Sequence, residues 1–200
     1  MGKLCQYFFS PQSPWTYLGH ARLGAIARQH GARIEMKPCD LGKVFDVSGG
    51  VPLAKRPPQR QAYRLVELRR WSEFLDIPLT LQPKYFPVAG EPAARLIIAA
   101  EAAYGHDAAF ELAGAVMRAL WAEERNIADA ATLAAIAGNQ GLDGQRLLDE
   151  AGSPAAGTTY ERNTTEAVAA NVFGSPWYVL DGEPYWGQDR LDFLERALSR

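Results

Sequence analysis

The sequence predicts an α/β fold on three observations: a strand-helix-strand pattern at the start, two strands and a helix at the end, and an almost wholly helical stretch between them. Its 200 residues fit one large domain, or one domain carrying an insertion, and are enough to bury a substantial core.

Lys3 to Phe9 is a short aromatic and apolar run stopped by Ser10-Pro11, as befits a buried strand. Ser13 is placed to cap a following helix and Pro14 to sit in its first turn, where a missing N–H costs nothing. That helix carries Trp15, Leu18, Ala21, Leu23 and Ile26 and stops at Gly31, which has no Cβ to oppose a left-handed turn. Arg33 to Pro38 reads as a second strand, and a β-α-β unit normally makes a parallel pair with a right-handed crossover.

After Asp40 a loop is expected, with Ser48-Gly49-Gly50, Pro52 and Pro57-Pro58. Gln59 to Asp76 is expected as a helix with Tyr63, Val66, Trp71 and Phe74 inward and its arginines outward, ended by Ile77-Pro78. Pro83 to Pro87 is irregular. Pro92 opens an alanine-rich helix that ends near Gly105, another runs from about Ala108 to Ala122, and Asp129 and Asp143 are good N-caps for two shorter ones. A further helix ends at Ala170, where Asn171 suits a left-handed cap. Asp181-Gly182 between two aromatic-rich runs signals a hairpin. The last helix spans about Asp189 to Leu198 with Leu191, Leu194 and Leu198 on one face. This order is that of a thioredoxin-like fold with a large all-helical insertion, residues 1–40 and 165–200 forming the thioredoxin-like part and 41–164 the insertion.

Twenty-one basic residues scattered among 23 acidic ones, a net charge of -2, leave no positive face to neutralise a run of phosphates, so no nucleic-acid partner is expected. No stretch approaches the roughly 20 apolar residues of a membrane span. The N-terminus lacks the pattern of a signal peptide, and Gln6 stands where a myristoylation motif after Gly2 needs Ser or Thr, so a cytoplasmic protein is expected. Cys5 and Cys39 are far apart in sequence and read as buried, inert thiols. His20, His30 and His106 have no metal-ligand spacing, and no metal site is expected.

Redox enzymes of the thioredoxin fold place C-x-x-C at the junction of the first strand and helix, where the helix dipole stabilises a thiolate. Here the junction reads Ser10-Pro11-Gln12-Ser13, which excludes disulfide exchange but leaves a site able to stabilise a thiolate carried by a ligand. Ser10 can donate to such a sulfur; to attack as a nucleophile it would need a base, and no histidine is placed beside it in sequence. Ser175-Pro176, just before a strand, is a candidate cis peptide that would present the backbone of Ser175 to a peptide ligand.

The Ser10-Pro11-Gln12-Ser13 junction, Arg70-Trp71 with Ile77-Pro78-Leu79, and Phe173-Gly174-Ser175-Pro176 with Trp186-Gly187-Gln188-Asp189-Arg190-Leu191 together resemble the 2-hydroxychromene-2-carboxylate isomerase family, a relative of kappa-class glutathione transferases in the DsbA-like group. The resemblance covers essentially the whole chain. It implies glutathione as cofactor and isomerisation of a bicyclic aromatic carboxylate, an intermediate of aromatic degradation, to an open-chain benzylidenepyruvate. A kappa-like transferase or peroxidase, or a thioredoxin-fold binding protein without chemistry, are the alternatives.

Carried over by position, the resemblance implies that Ser10 is the active serine and that Ser175, Trp186, Gly187, Gln188 and Asp189 bind glutathione; it also makes a homodimer plausible. In the substrate loop the family commonly has an Asn-Arg pair, where this chain has Ala54-Lys55. Lys43 is expected to meet the substrate carboxylate, and Tyr85 either to donate to a substrate oxygen or to pack on Phe86.

Overall fold

A computed structural model describes residues 2–200. β1 (Leu4–Phe9), α1 (Pro14–Gln29) and β2 (Arg33–Pro38) form the expected parallel pair, with Leu4 opposite Arg33 and Phe9 opposite Pro38. β3 (Trp177–Leu180) lies antiparallel on the other side of β1, and β4 (Glu183–Trp186) antiparallel to β3, giving the order β2-β1-β3-β4. Because β1 is flanked on both edges, its aromatic run is enclosed, and Tyr7, Phe8 and Phe9 are at most 1% exposed. Asp181 and Gly182 both have positive φ, 52° and 83°, as the tight hairpin between β3 and β4 requires.

Eight further helices complete the described residues: α2 (Leu41–Ser48), α3 (Pro58–Leu75), α4 (Glu91–Tyr104), α5 (His106–Trp121), α6 (Ala130–Asn139), α7 (Gly144–Ala151), α8 (Pro154–Ala169) and α9 (Leu191–Leu198). Their caps follow the sequence. The side chains of Ser13, Asp129 and Asp143 accept from the N–H groups of Thr16, Thr132 and Arg146, and Asn171 takes the left-handed conformation with φ 55°. Among the described residues no helix is long and apolar enough to cross a membrane.

Three features depart from expectation. The stretch after Asp40 is helical, because the Asp40 carboxylate caps α2 by accepting from the N–H groups of Gly42 and Lys43. The boundary expected at 164/165 falls inside α8, one unbroken helix. A single apolar cluster also joins Tyr7 and Phe9 of β1 to Leu96, Leu112 and Trp121 of the helical part, so insertion and scaffold share a core.

The third departure concerns α3. Its apolar residues do not face inward: Leu68 alone is fully buried, while Tyr63 and Phe74 are 58% and 78% exposed. The helix lies across the molecule's main cleft instead of inside the helical core, so its stripes are sorted by the cleft and not by a packed interior.

His20 fastens the two parts together. Its ring stacks on Phe110 with centroids 3.9 Å apart, Nε2–H donates to the Phe110 carbonyl at 2.9 Å, and Nδ1 accepts from the Tyr7 hydroxyl at 3.2 Å. A carbonyl can only accept, which fixes the neutral tautomer with the proton on Nε2. Burial pushes the imidazole pKa down to about 4 from an ordinary 6.5. Between those two values the unfolded chain takes up a proton that the folded chain excludes, so stability is full above pH 6.5 and falls as the pH drops towards about 4. The loss amounts to roughly 3 kcal/mol. Denaturant unfolding at a series of pH values is expected to show a steeper loss between pH 6.5 and about 4 in the wild type than in His20→Gln, whose remaining slope comes from carboxylates alone.

Candidate active site

The described residues enclose a cleft of about 850 Å³ between the N-terminus of α1, the start of α2, α3 and the turn that follows β4. That lies in the upper part of the ~300–1,000 Å³ range of small-molecule sites. The end of α1 supplies Gln12, Ser13, Pro14 and Trp15 to its floor, and Ser175 stands beside them. Ser175-Pro176 is cis, as is Phe86-Pro87 on the opposite wall.

A compact hydrogen-bond network builds the floor. The backbone N–H of Ser10 donates to Ser175 Oγ at 3.0 Å, Thr16 Oγ1 lies 2.7 Å from the same oxygen, and Ser13 Oγ donates to the Ser175 carbonyl at 3.2 Å. Ser175 is thus bonded through its side chain and its carbonyl to the first strand-helix junction. In the first turn of α1, Pro14 has no N–H, and the N–H groups of Thr16 and Tyr17 are taken by the side chain and carbonyl of Ser13. The N–H of Trp15, a cleft residue, is the donor left at the positive end of the helix.

Ser10 is only 3% exposed and stands just behind the cleft wall. Its hydroxyl and the Gln12 amide converge on Gly90: a Cβ there would lie 3.4 Å from Ser10 Oγ and 3.6 Å from Gln12 Nε2. The glycine leaves room of about one methyl group over the serine, where a side chain would stand in contact with it.

The opposite wall is aromatic and basic. Phe45, Trp71 and Phe86 face the cleft together with Arg56, Arg60 and Arg64, which recur every four residues along the approach to α3 and its first turns. The Arg64 guanidinium lies 5.2 Å over the ring of Phe86 and 5.7 Å over that of Trp121. Burial, and Arg56 close by, lower its pKa to about 10; burial and Arg60 act on Arg56 in the same direction.

Residues 5–199 match the family described as DSBA-like thioredoxin domain. Over 199 residues, 99% of each chain, the sequence is 31% identical to the 2-hydroxychromene-2-carboxylate isomerase of Sphingobium xenophagum. The chain belongs to the 2-hydroxychromene-2-carboxylate isomerase family.

The solved structure of a 2-hydroxychromene-2-carboxylate isomerase is similar with a TM-score of 0.80 and 28% identity, over 98% of this chain and 95% of that one. Glutathione S-transferase kappa 1 of Caenorhabditis elegans is 22% identical over 97% of this chain and 90% of its own. In this member of the isomerase family, Ser13, Ser175 and the Trp186-Gly187-Gln188-Asp189 turn come together at one cleft although more than 160 residues separate Ser13 from Ser175.

Their surroundings differ from residue to residue. Trp186 is half exposed, packs edge-on against Phe173 and lies so close to Gly174 that a Cβ there would collide with its indole nitrogen. Gly187 has φ 96°, which favours glycine, and a Cβ at that position would stand 2.5 Å from Asp189 Oδ1. Asp189 is held by Arg190 at 2.7 Å and does not cap the last helix, which starts two residues later. Gln188 is 1% exposed, and both polar atoms of its amide are buried without a partner.

Lys43 and Tyr85 are not brought to the cleft in this isomerase-family chain. The Lys43 ammonium is held outside by Glu161 at 2.7 and 2.8 Å, a pairing across 118 residues. Tyr85 packs against the core under Lys84, whose ammonium is 5.1 Å from its ring, and Phe86 lines the wall in its stead. The cleft cations include Arg60 and Arg64, two of the helix arginines that were expected to face outward, together with Arg56 and Arg190. The fourfold spacing of Arg60 and Arg64 is the signal in the sequence that pairs them, since it puts both on one stripe of α3, and Arg56 joins them from the extended segment ahead of the helix.

The floor network carries a test. Ser175→Ala strips the bonding partner from the buried N–H of Ser10 and from the Thr16 hydroxyl, and is expected to cost about 1–3 kcal/mol. Lys43→Ala, which removes only an exposed ion pair, is expected to leave the unfolding midpoint unchanged. Equilibrium denaturation of both variants beside the wild type measures the contrast.

Proposed function

We propose that the protein is a glutathione-dependent isomerase that converts 2-hydroxychromene-2-carboxylate, or a related intermediate of aromatic degradation, to its open-chain benzylidenepyruvate isomer. The observation that carries this reading is the serine-only strand-helix junction, opening beside a cleft of about 850 Å³ with an aromatic, cationic far wall.

The chain has no thiol of its own to offer at this junction. Cys5 and Cys39 are buried, and burial pushes both thiols up to about 12. Bound glutathione would supply a thiolate able to add reversibly to a conjugated carbon, which turns a double bond into a rotatable single bond, and then to leave. The residues of the floor suit such a guest. The room that Gly90 leaves over the Ser10 hydroxyl and the Trp15 N–H at the positive end of α1 are features that the protein alone does not fill.

Within this reading Ser10 stabilises the sulfur by donating its hydroxyl hydrogen and does not attack. Nucleophilic attack requires a neighbouring base, and none of the three histidines lines the cleft. His20 is bonded between Tyr7 and Phe110, while His30 and His106 lie beside Glu195 and Glu101. The far wall receives the ring and the acid group of the substrate, and Phe45, Trp71 and Phe86 exclude water from one face.

Glutathione titration followed by the ultraviolet absorbance of the thiolate tests the reading. The wild type is expected to bind glutathione and lower its thiol pKa by about one to two units, and Ser10→Ala to bind it with that shift largely lost. Failure of the wild type to bind glutathione overturns the proposal. A panel of unsaturated aromatic acids, including 2-hydroxychromene-2-carboxylate, then identifies the substrate.

A further inference from the structure

The acidic side chains lining the cleft are two, Glu67 and Asp189, and each is already engaged at 2.7 Å, by Arg70 and Arg190. The basic ones are four. With Arg190 spent on Asp189, the guanidinium groups of Arg56, Arg60 and Arg64 face one cavity with no ion-pair partner among the described residues, in a chain whose net charge is -2. The imbalance is local and points inward.

Arg64 is the most enclosed of the three. Its guanidinium is laid over Phe86 and Trp121, which fixes the plane of the fork and screens one face from water, while the other side opens on the cleft. Arg56 is anchored independently, since its Nε–H donates to the Val51 carbonyl at 2.7 Å, which leaves its terminal nitrogens to the cavity. A partly desolvated cation laid over aromatic rings, with a second cation beside it, costs free energy until an anion arrives. Phe86 both carries Arg64 and lines the cleft, so an aromatic ring lying against it has its acid group directed to the guanidinium.

We propose that Arg64, seconded by Arg56, receives the carboxylate of the substrate and makes the cleft select planar aromatic acids over their uncharged counterparts. This assignment rests on the reading of the cleft as a site shared by glutathione and an aromatic acid, and it gives the anion-binding role expected of Lys43 to the opposite wall. Arg64 presents a planar fork to the carboxylate, which a lysine cannot do, so the geometry of the acid as well as its charge is read.

The test uses trans-2-hydroxycinnamate and its methyl ester as probes, with binding to the full chain followed by tryptophan fluorescence, to which Trp15, Trp71 and Trp186 in the cleft contribute. The wild type is expected to bind the acid about tenfold to a hundredfold tighter than the ester. Arg64→Met is expected to bring the two within about twofold, and Arg64→Lys to keep part of the preference. Arg56→Gln, which lies ahead of α3 and leaves the helix intact, is expected to reduce it by at least threefold, and serves if Arg64→Met does not fold. Equal affinity of the wild type for acid and ester overturns the proposal, as does a full preference retained by Arg64→Met. Glutathione affinity measured in parallel separates the two readings. It is expected to stay within about twofold in Arg64→Met, and its collapse there would assign the arginine to glutathione and overturn the inference. A wild type that prefers the acid but binds no glutathione would sink the isomerase reading and leave the anion site standing.

Discussion

Ser175 and the junction between β1 and α1 hold each other in place, and the rest of the site is laid out from that contact. The chain's first 40 residues and its last 26 have no covalent reason to meet. They meet because the Ser175 hydroxyl takes the N–H of Ser10 and reaches Thr16, while its carbonyl takes the Ser13 hydroxyl. Each of these groups is buried, and left alone each would cost about 1–3 kcal/mol. The exchange satisfies them together, and in doing so sets the positive end of α1, the bend before β3 and the turn after β4 around one cavity. The central position of β1 in the sheet makes the arrangement stiff, since the strand that leads to Ser10 has neighbours on both sides.

The two walls of the cleft are made by different physics. The floor is a network of hydrogen bonds from 2.7 to 3.3 Å that joins Ser10, Ser13, Thr16 and Ser175 and leaves the Trp15 N–H over. The far wall is deliberately incomplete: aromatic rings, three guanidinium groups, and acids whose charge is already spent elsewhere. Such an arrangement is stable because α3 is held to the core by Leu68 and its neighbours and not by the residues that face the cavity. Tyr63 at the cleft and Phe74 in solvent show that the apolar residues of α3 are not all turned to one packed neighbour.

What the sequence made legible is what short-range grammar encodes. Ser13-Pro14 at a helix start, Asp181-Gly182 in a hairpin, Asn171 at a left-handed cap and Ser175-Pro176 before a strand are all found as read, because each depends on residues within a turn of itself. The thioredoxin order of elements followed from these. The failures lie where distant segments decide. Lys43 was expected to supply the cation for a substrate carboxylate, but Glu161, 118 residues on, captures it. In α3 the aromatic residues were taken as the buried face, although the helix covers a cleft and turns its basic stripe towards it. Asp40 as a cap for α2 was readable by the same rule that found Asp129 and Asp143, and was masked by the glycines and prolines that follow.

The two cysteines, Cys5 within β1 and Cys39 just after β2, are closed to solvent and far from the ionised form. In the native chain they are silent towards electrophiles and mild oxidants. A thiol-specific dye mixed with the folded protein and a small thiol therefore reports on the small thiol alone, and its reaction rate becomes a direct gauge of what the cleft does to a sulfur. Oxidants that disable thiol enzymes by attacking an exposed protein thiolate find neither cysteine open to them in the folded chain.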